Sequence, residues 1–163
     1  MKIGYLIIDM QEIHVRDHVD KKTLDRACEY INYVSDMLRA KDQLIIHIQD
    51  IEGIQESTKE HYNILPEVQV SDSDLKVTKE YSNAFWKTEL EQILKDQGVE
   101  LLIISGFSAE HCVQFTYNGA SERNFRPVLL QNGILSAYSD VITSAHRDRN
   151  LISYPVIQYL ISQ

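Results

Sequence analysis

Several things are scarce in this sequence, and each shortage narrows what the chain can be. It has two cysteines in 163 residues, too few for the disulfide framework of a small secreted domain. Free thiols in a reducing cytoplasm are therefore expected. Positive charge is short as well: 16 Lys and Arg stand against 24 Asp and Glu, a formal charge of −8. With no cluster of basic residues, neither a phosphate backbone nor an anionic membrane surface fits as a partner, which leaves a small molecule or another protein. No apolar run approaches the roughly 20 residues of a membrane-spanning helix. The N-terminal MKIGYLIIDM is stopped by Asp9 and carries no small-residue cleavage site, so it does not read as a signal peptide. The three prolines and six glycines are scattered rather than gathered into a linker, and there are no repeats or low-complexity segments. Residues 1–163 are read as one domain, long enough to bury a substantial core.

What the chain does have is a series of continuous apolar runs separated by helical patterns, the signature of strands buried on both faces of a parallel sheet. The strands read from these patterns are Ile3 to Ile8, Gln43 to Gln49, a short one at Asp74 to Lys79, Glu100 to Ser105, Arg126 to Gln131 and another short one at NLIS. Leu24, Cys28, Ile31, Val34 and Leu38 fall at helical spacing and predict a helix of about five turns. Further helices are predicted over 83–97, ending at Gly98, over 109–124, near 139–148, and from Pro155 to the C-terminus. Residues 50–70 have no clear period and read as an irregular excursion. The alternation predicts a three-layer, doubly wound α/β sandwich with a mainly parallel sheet of about six strands. No glycine-rich phosphate loop follows any strand, so no nucleotide cofactor is implied.

In such folds ligands bind beyond the carboxyl ends of the strands. Three residues of complementary chemistry stand there. Asp9 closes the first run, where partial burial would raise its pKa toward a range useful for a general base. Lys79 closes the third and could hold anionic charge. Cys112 lies in the first turn of the helix after Gly106, where free N–H groups and the helix dipole are expected to lower a thiol's pKa and make it a nucleophile. Each has an ordinary alternative: a loop-capping carboxylate, a solvated lysine, a small buried thiol. Cys28 fits that last description, being part of its helix's apolar stripe. The coincidence of all three at strand ends is what points to a site.

The segments YLIIDMQ, VTKEYSNAFWKTELEQILKDQGVELLIISGFSAEHCV, TYNGASERNF and PVLLQNG span most of the chain. In that order and spacing the sequence resembles the isochorismatase-like cysteine hydrolases, a family that includes nicotinamidases and carbamoylsarcosine amidases. The resemblance places the family's catalytic Asp, Lys and Cys on Asp9, Lys79 and Cys112. It implies a ping-pong amidase acting on a small amide, ureide or carbamoyl compound, without a cofactor. It also implies a cis peptide between Phe107 and Ser108 that would turn the Ser108 N–H toward that of Cys112 as an oxyanion hole. Ile13, Tyr81, Trp86 and Phe107 are the expected pocket residues, with Phe85 packing inward. Relatives assemble as dimers or tetramers, so a homo-oligomer is expected by analogy.

Departures from the family pattern surround these matches. Glu12-Ile13-His14 replaces Asn-Asp-Phe, Ala109-Glu110 replaces Thr-Asp, and Asn132-Gly133 replaces Asp-Ala. None removes a catalytic residue, but together they keep open a second reading, a non-catalytic binding or assembly relative that has lost its substrate. The Asp-x-His pair through which nicotinamidases hold a divalent ion is absent; His47, Asp50 and His61 stand at unhelpful spacing, so no metal is expected. His111 is adjacent to Cys112 on a helix, where neighbours point about 100° apart, and is expected at the surface.

Overall fold

A computed structural model describes residues 1–163. Six parallel strands form a single sheet in the order β3-β2-β1-β4-β5-β6. They are β1 Lys2–Ile8, β2 Leu44–Asp50, β3 Leu75–Lys79, β4 Val99–Phe107, β5 Arg126–Leu135 and β6 Leu151–Ile152. The apolar runs become strands because both faces of the sheet are covered, which rewards side chains pointing either way. In β1, Ile3, Tyr5 and Ile7 face one layer while Leu6 and Ile8 face the other.

The first layer is built by α2 Lys21–Arg39 and α6 Tyr154–Ile161. Leu24, Cys28, Ile31, Val34 and Leu38 of α2 and Ile157 of α6 form its core with the sheet. Asp20 starts α2 by accepting the Thr23 N–H at 3.0 Å, the side-chain cap that a helix N-terminus requires. The second layer comprises α3 Leu90–Asp96, α4 Cys112–Glu122 and α5 Ser139–Asp148. Leu90, Leu94, Val113, Tyr117, Ala120 and Ala145 are its buried contributions. A short helix, α1 Glu12–Val15, follows β1, and a 3₁₀ turn at Lys59–Tyr62 interrupts the otherwise irregular 50–70 segment. No helix is long and apolar enough to cross a membrane.

Two helices are shorter than their sequence patterns predict. The helix expected from residue 83 begins only at Leu90, because side-chain bonds, one local and one to α4, hold 83–88 in turns. Asn83 Oδ1 accepts the Phe85 N–H, the Ala84 N–H donates to Thr116 Oγ1 (both 3.0 Å), and Lys87 sits at φ +56°. The helix expected from residue 109 begins at Cys112, since the Ser108 carbonyl accepts both the His111 and Val113 N–H groups at 3.1 Å and closes a turn first.

The strand order reverses direction between β1 and β4. The chain moves outward from β1 through β2 to β3, then returns to add β4, β5 and β6 on the other side. The crevice at such a reversal is where doubly wound sheets bind ligands. Asp9 lies beyond one side of it and the 107–112 loop beyond the other.

Candidate active site

The crevice is shaped by two unusual backbone conformations. Asp9 adopts φ +49°, a left-handed conformation that aspartate tolerates better than most residues. Strict alternation would send Asp9 to the side of Ile7, against α2; the left-handed turn breaks the alternation and leaves the carboxylate free to meet Lys79. The Asp9 N–H still donates to the Ile48 carbonyl at 3.0 Å, so the turn is fastened to β2. Across the crevice Gly106 is at φ +109°, and a Cβ there would lie 2.1 Å from the Ile8 carbonyl oxygen. Only glycine permits that approach of β4 to β1. The Phe107–Ser108 peptide is cis, as the family pattern implies.

Lys79 reaches into the crevice from the edge strand. Two strand spacings separate β3 from β1, roughly 9–10 Å, a gap that a long side chain is needed to cross. Its Nζ sits 2.9 Å from Asp9 Oδ2, 2.9 Å from Asp50 Oδ2 and 3.4 Å from Cys112 Sγ. Its side chain is 0 % exposed and that of Asp9 3 %. An ammonium in so dry a place persists because two carboxylates accept from it. Burial pulls its pKa down, but Asp9, Cys112 and Asp50 outweigh that and hold it above the usual lysine range.

Asp9 responds as its sequence position suggests, and Cys112 does not. Burial raises the Asp9 pKa, with Lys79 opposing, as expected for a buried carboxyl. The thiol of Cys112 is pushed up to about 12, first by burial and then by the Asp9 carboxylate, against the pull of Lys79. The sequence argument for a lowered thiol pKa is therefore corrected: Cys112 does open α4, but burial and a nearby anion exceed the effect of the helix end. One Asp9 oxygen, Oδ1, is buried with no hydrogen-bond partner, and the Ser108 and Cys112 N–H groups make no backbone hydrogen bond. An open acceptor, a half-buried thiol and two free donors thus occupy one end of the sheet.

Asp50 and Gln11 are the participants that sequence reasoning undervalued. Asp50 stands at a strand end in the sequence but is given a role there only as a candidate metal ligand; it is the second carboxylate on Lys79. Gln11 belongs to the YLIIDMQ segment but carried no assigned role. Fully buried, it donates through Nε2 to the Asp50 and Tyr62 carbonyls (3.0 and 2.7 Å) and accepts the Asp50 N–H (2.8 Å). Its place two residues beyond Asp9, inside the YLIIDMQ segment, was the available signal. The other metal candidates do not converge. His47 turns to the opposite layer and bonds Asp74 at 3.0 Å, and His61 is exposed. Ligand atoms of Asp9, Asp50 and Cys112 lie within 4.8 Å of one another, but the Lys79 ammonium already fills the cation position among them.

The expected pocket residues divide. Tyr81 and Trp86 line a depression of about 290 Å³ together with Lys79, Ile51 and Glu80. Ile13 is 39 % exposed on α1 and does not line it. Phe107 is half-buried against the α2 layer, its ring 6.2 Å from that of His18. Phe85 is buried and stacked on Phe125 at 5.8 Å, and His111 is exposed at the start of α4.

Against known proteins, the isochorismatase domain model matches residues 4–150. The chain belongs to the isochorismatase family. YaaI of Bacillus subtilis, an uncharacterized member, is 28 % identical over 144 residues, covering 80 % of this chain and 79 % of that one. Among solved structures, an isochorismatase-like hydrolase from Alkaliphilus metalliredigens superposes with a TM-score of 0.85 at 18 % identity, over 98 % of this chain and 99 % of the other. N-carbamoylsarcosine amidase from Thermoplasma acidophilum gives 0.79 at 16 % identity, over 94 % and 95 %. The sheet and its helical layers are thus those of isochorismatase-family proteins along nearly the whole chain.

Proposed function

We propose that this isochorismatase-family chain is a cysteine hydrolase that cleaves the C–N bond of a small amide, ureide or carbamoyl compound. The observation that carries the reading is the buried Lys79 ammonium within bonding distance of both the Asp9 carboxylate and the Cys112 sulfur. In this reading the thiol proton passes to Asp9, whose Oδ1 is an unoccupied acceptor, as the sulfur lone pair attacks the substrate carbonyl. The carbonyl oxygen takes up the displaced π electrons and receives the Ser108 and Cys112 N–H groups, donors of the kind worth roughly 3–4 kcal/mol each elsewhere. Collapse of the adduct breaks the C–N bond; the nitrogen leaves with the proton held by Asp9, and a thioester remains on Cys112. Asp9 then takes a proton from water as its oxygen attacks the thioester, releasing the acid and restoring the thiol.

Lys79 contributes charge rather than a proton, since its pKa is held high. It offsets the thiolate that forms beside it. The half-buried position of Cys112 favours compact substrates, and amidase chemistry in a structural relative such as N-carbamoylsarcosine amidase supports the bond type. The test is ammonia release from a panel of small amides and ureides, with Cys112→Ala as control. Turnover lost in the variant, with its melting temperature kept, is the expected outcome. Full turnover by Cys112→Ala would refute the mechanism.

A further inference from the structure

Lys79 has two carboxylates where the chemistry just described uses one. The second, Asp50, is 8 % exposed and held from several sides. Its Oδ1 accepts the Glu52 N–H at 2.8 Å, which leaves Oδ2 turned to Lys79 at 2.9 Å. Gln11 brackets its backbone, accepting its N–H and donating to its carbonyl, so the end of β2 is locked to the segment just beyond Asp9. That is more fixing than a surface-facing counterion receives.

The charge balance gives this second carboxylate a task. At rest Asp9 and Asp50 carry −2 and Lys79 +1, with the thiol neutral, a net of −1. Once the thiol proton has moved to Asp9, the sulfur carries −1, Asp50 −1 and Lys79 +1, again −1. The transfer conserves the net charge but removes the Asp9 anion from Lys79 at the moment the new thiolate needs the ammonium in place. We infer that Asp50 is a positioning residue that anchors the Lys79 ammonium beside Cys112 through the step in which Asp9 is protonated. It also keeps the resting pocket anionic, which suppresses thiolate until a substrate carbonyl is at hand. The inference rests on the assignment of Asp9, Lys79 and Cys112 as the reacting set.

The two roles pull reactivity and turnover in opposite directions, and that separates them from plain structural support. Asp50→Asn keeps an oxygen for the Glu52 N–H and removes one negative charge within 4.8 Å of the sulfur. Alkylation of Cys112 by iodoacetamide at pH 8, followed by mass spectrometry, should speed up several-fold because the thiolate is less opposed. In the same variant kcat should fall by roughly 10- to 100-fold with KM little changed, the scale of one lost charged hydrogen bond. Asp50→Glu keeps the charge but displaces it: alkylation should stay at the wild-type rate while kcat still falls. Cys28, buried in the other layer, is the internal control. Unchanged or slower Cys112 alkylation in Asp50→Asn, or wild-type kcat in either variant, would overturn the inference. So would parallel acceleration at Cys28, which would mean a loosened fold. The alkylation readout needs no substrate, so it stands even where the proposed hydrolysis fails; if Asp50→Asn does not fold, the kcat of Asp50→Glu decides.

Discussion

The close approach of β4 to β1 at Gly106 can be tested against Gly98, which also has a positive φ but lies in open surroundings. An alanine Cβ at 106 would lie 2.1, 2.6 and 2.8 Å from the O, N and C atoms of Ile8. All three are backbone atoms of a central strand, so no side chain can swing away. Restoring even a tight contact of about 3.2 Å requires roughly 1.1 Å of separation between the strands that carry Asp9 and the 107–112 loop. At Gly98, by contrast, φ is +65° and nothing lies within 4 Å. Gly98→Ala should therefore cost only the left-handed backbone penalty, about 1–2 kcal/mol. Gly106→Ala should add strand displacement to the penalty of its own positive φ, about 3–5 kcal/mol altogether. A shift of about 1 Å between reacting groups is also enough to cost on the order of 100-fold in turnover. Urea titrations of the two variants followed by circular dichroism, with amide hydrolysis measured on each, make the comparison. If Gly106→Ala loses no more stability than Gly98→Ala, the close approach does not constrain the sheet and the reasoning fails.

Three other perturbations have defined signs. Lys79→Met strands two buried carboxylates and should cost about 3 kcal/mol; it should also slow alkylation of Cys112, because the ammonium is what pulls that thiol's pKa down. Faster alkylation would contradict the electrostatics. In the opposite layer, Asp74 accepts two bonds from Arg39 (2.9 and 2.6 Å) and one from His47 (3.0 Å), its side chain 1 % exposed. Asp74→Asn should lower stability by about 3 kcal/mol and leave kcat within a few-fold; a loss of activity without a loss of stability would reassign the cluster. The pH profile of kcat/KM should be flat between a limb set by Asp9, above the usual carboxylate range, and one set by Cys112, toward 12. A limb near the ordinary thiol value of about 8.5 would show that the thiol is not suppressed.

Most of the sheet was legible because its central strands are largely apolar runs, a pattern that burial on both faces rewards; β3 at the edge was legible only as the short segment LKVTK. Asp9 was legible as a polar residue ending an apolar run, Lys79 as the end of the short third strand, and Cys112 as a thiol placed just after a strand. The short start of α3 was hidden because Trp86, Leu90, Ile93 and Leu94 keep helical spacing, whereas the turn at 83–88 depends on Thr116, distant in sequence and near only after folding. Asp50 was hidden for a related reason. Nothing local says that a carboxylate after β2 will meet a lysine after β3; that requires the parallel register pairing Asp50 with Lys79. The pocket expectations were weakest at Ile13, which the short α1 carries outward.

The thiol marks the boundary between what position implies and what environment decides. A helix N-terminus stabilises an anion by about 0.3–1 kcal/mol, less than one pH unit. Burial can move a titrating group by 3–5 units, and here an aspartate beside the sulfur adds to it. The larger effects win, so at neutral pH the thiol is held in its protonated form. In the proposed mechanism, a sulfur held that way does not act as a standing thiolate. Its proton must leave as attack proceeds, into an acceptor already in place, and the unpartnered Asp9 oxygen is the acceptor the site provides. The same suppression protects the sulfur, because oxidants and alkylators attack the thiolate rather than the thiol. Under the proposed mechanism reactivity would then depend on a carbonyl arriving where the Ser108 and Cys112 N–H groups can receive its charge, which would make the 107–112 loop as much a condition of the chemistry as the cysteine it carries.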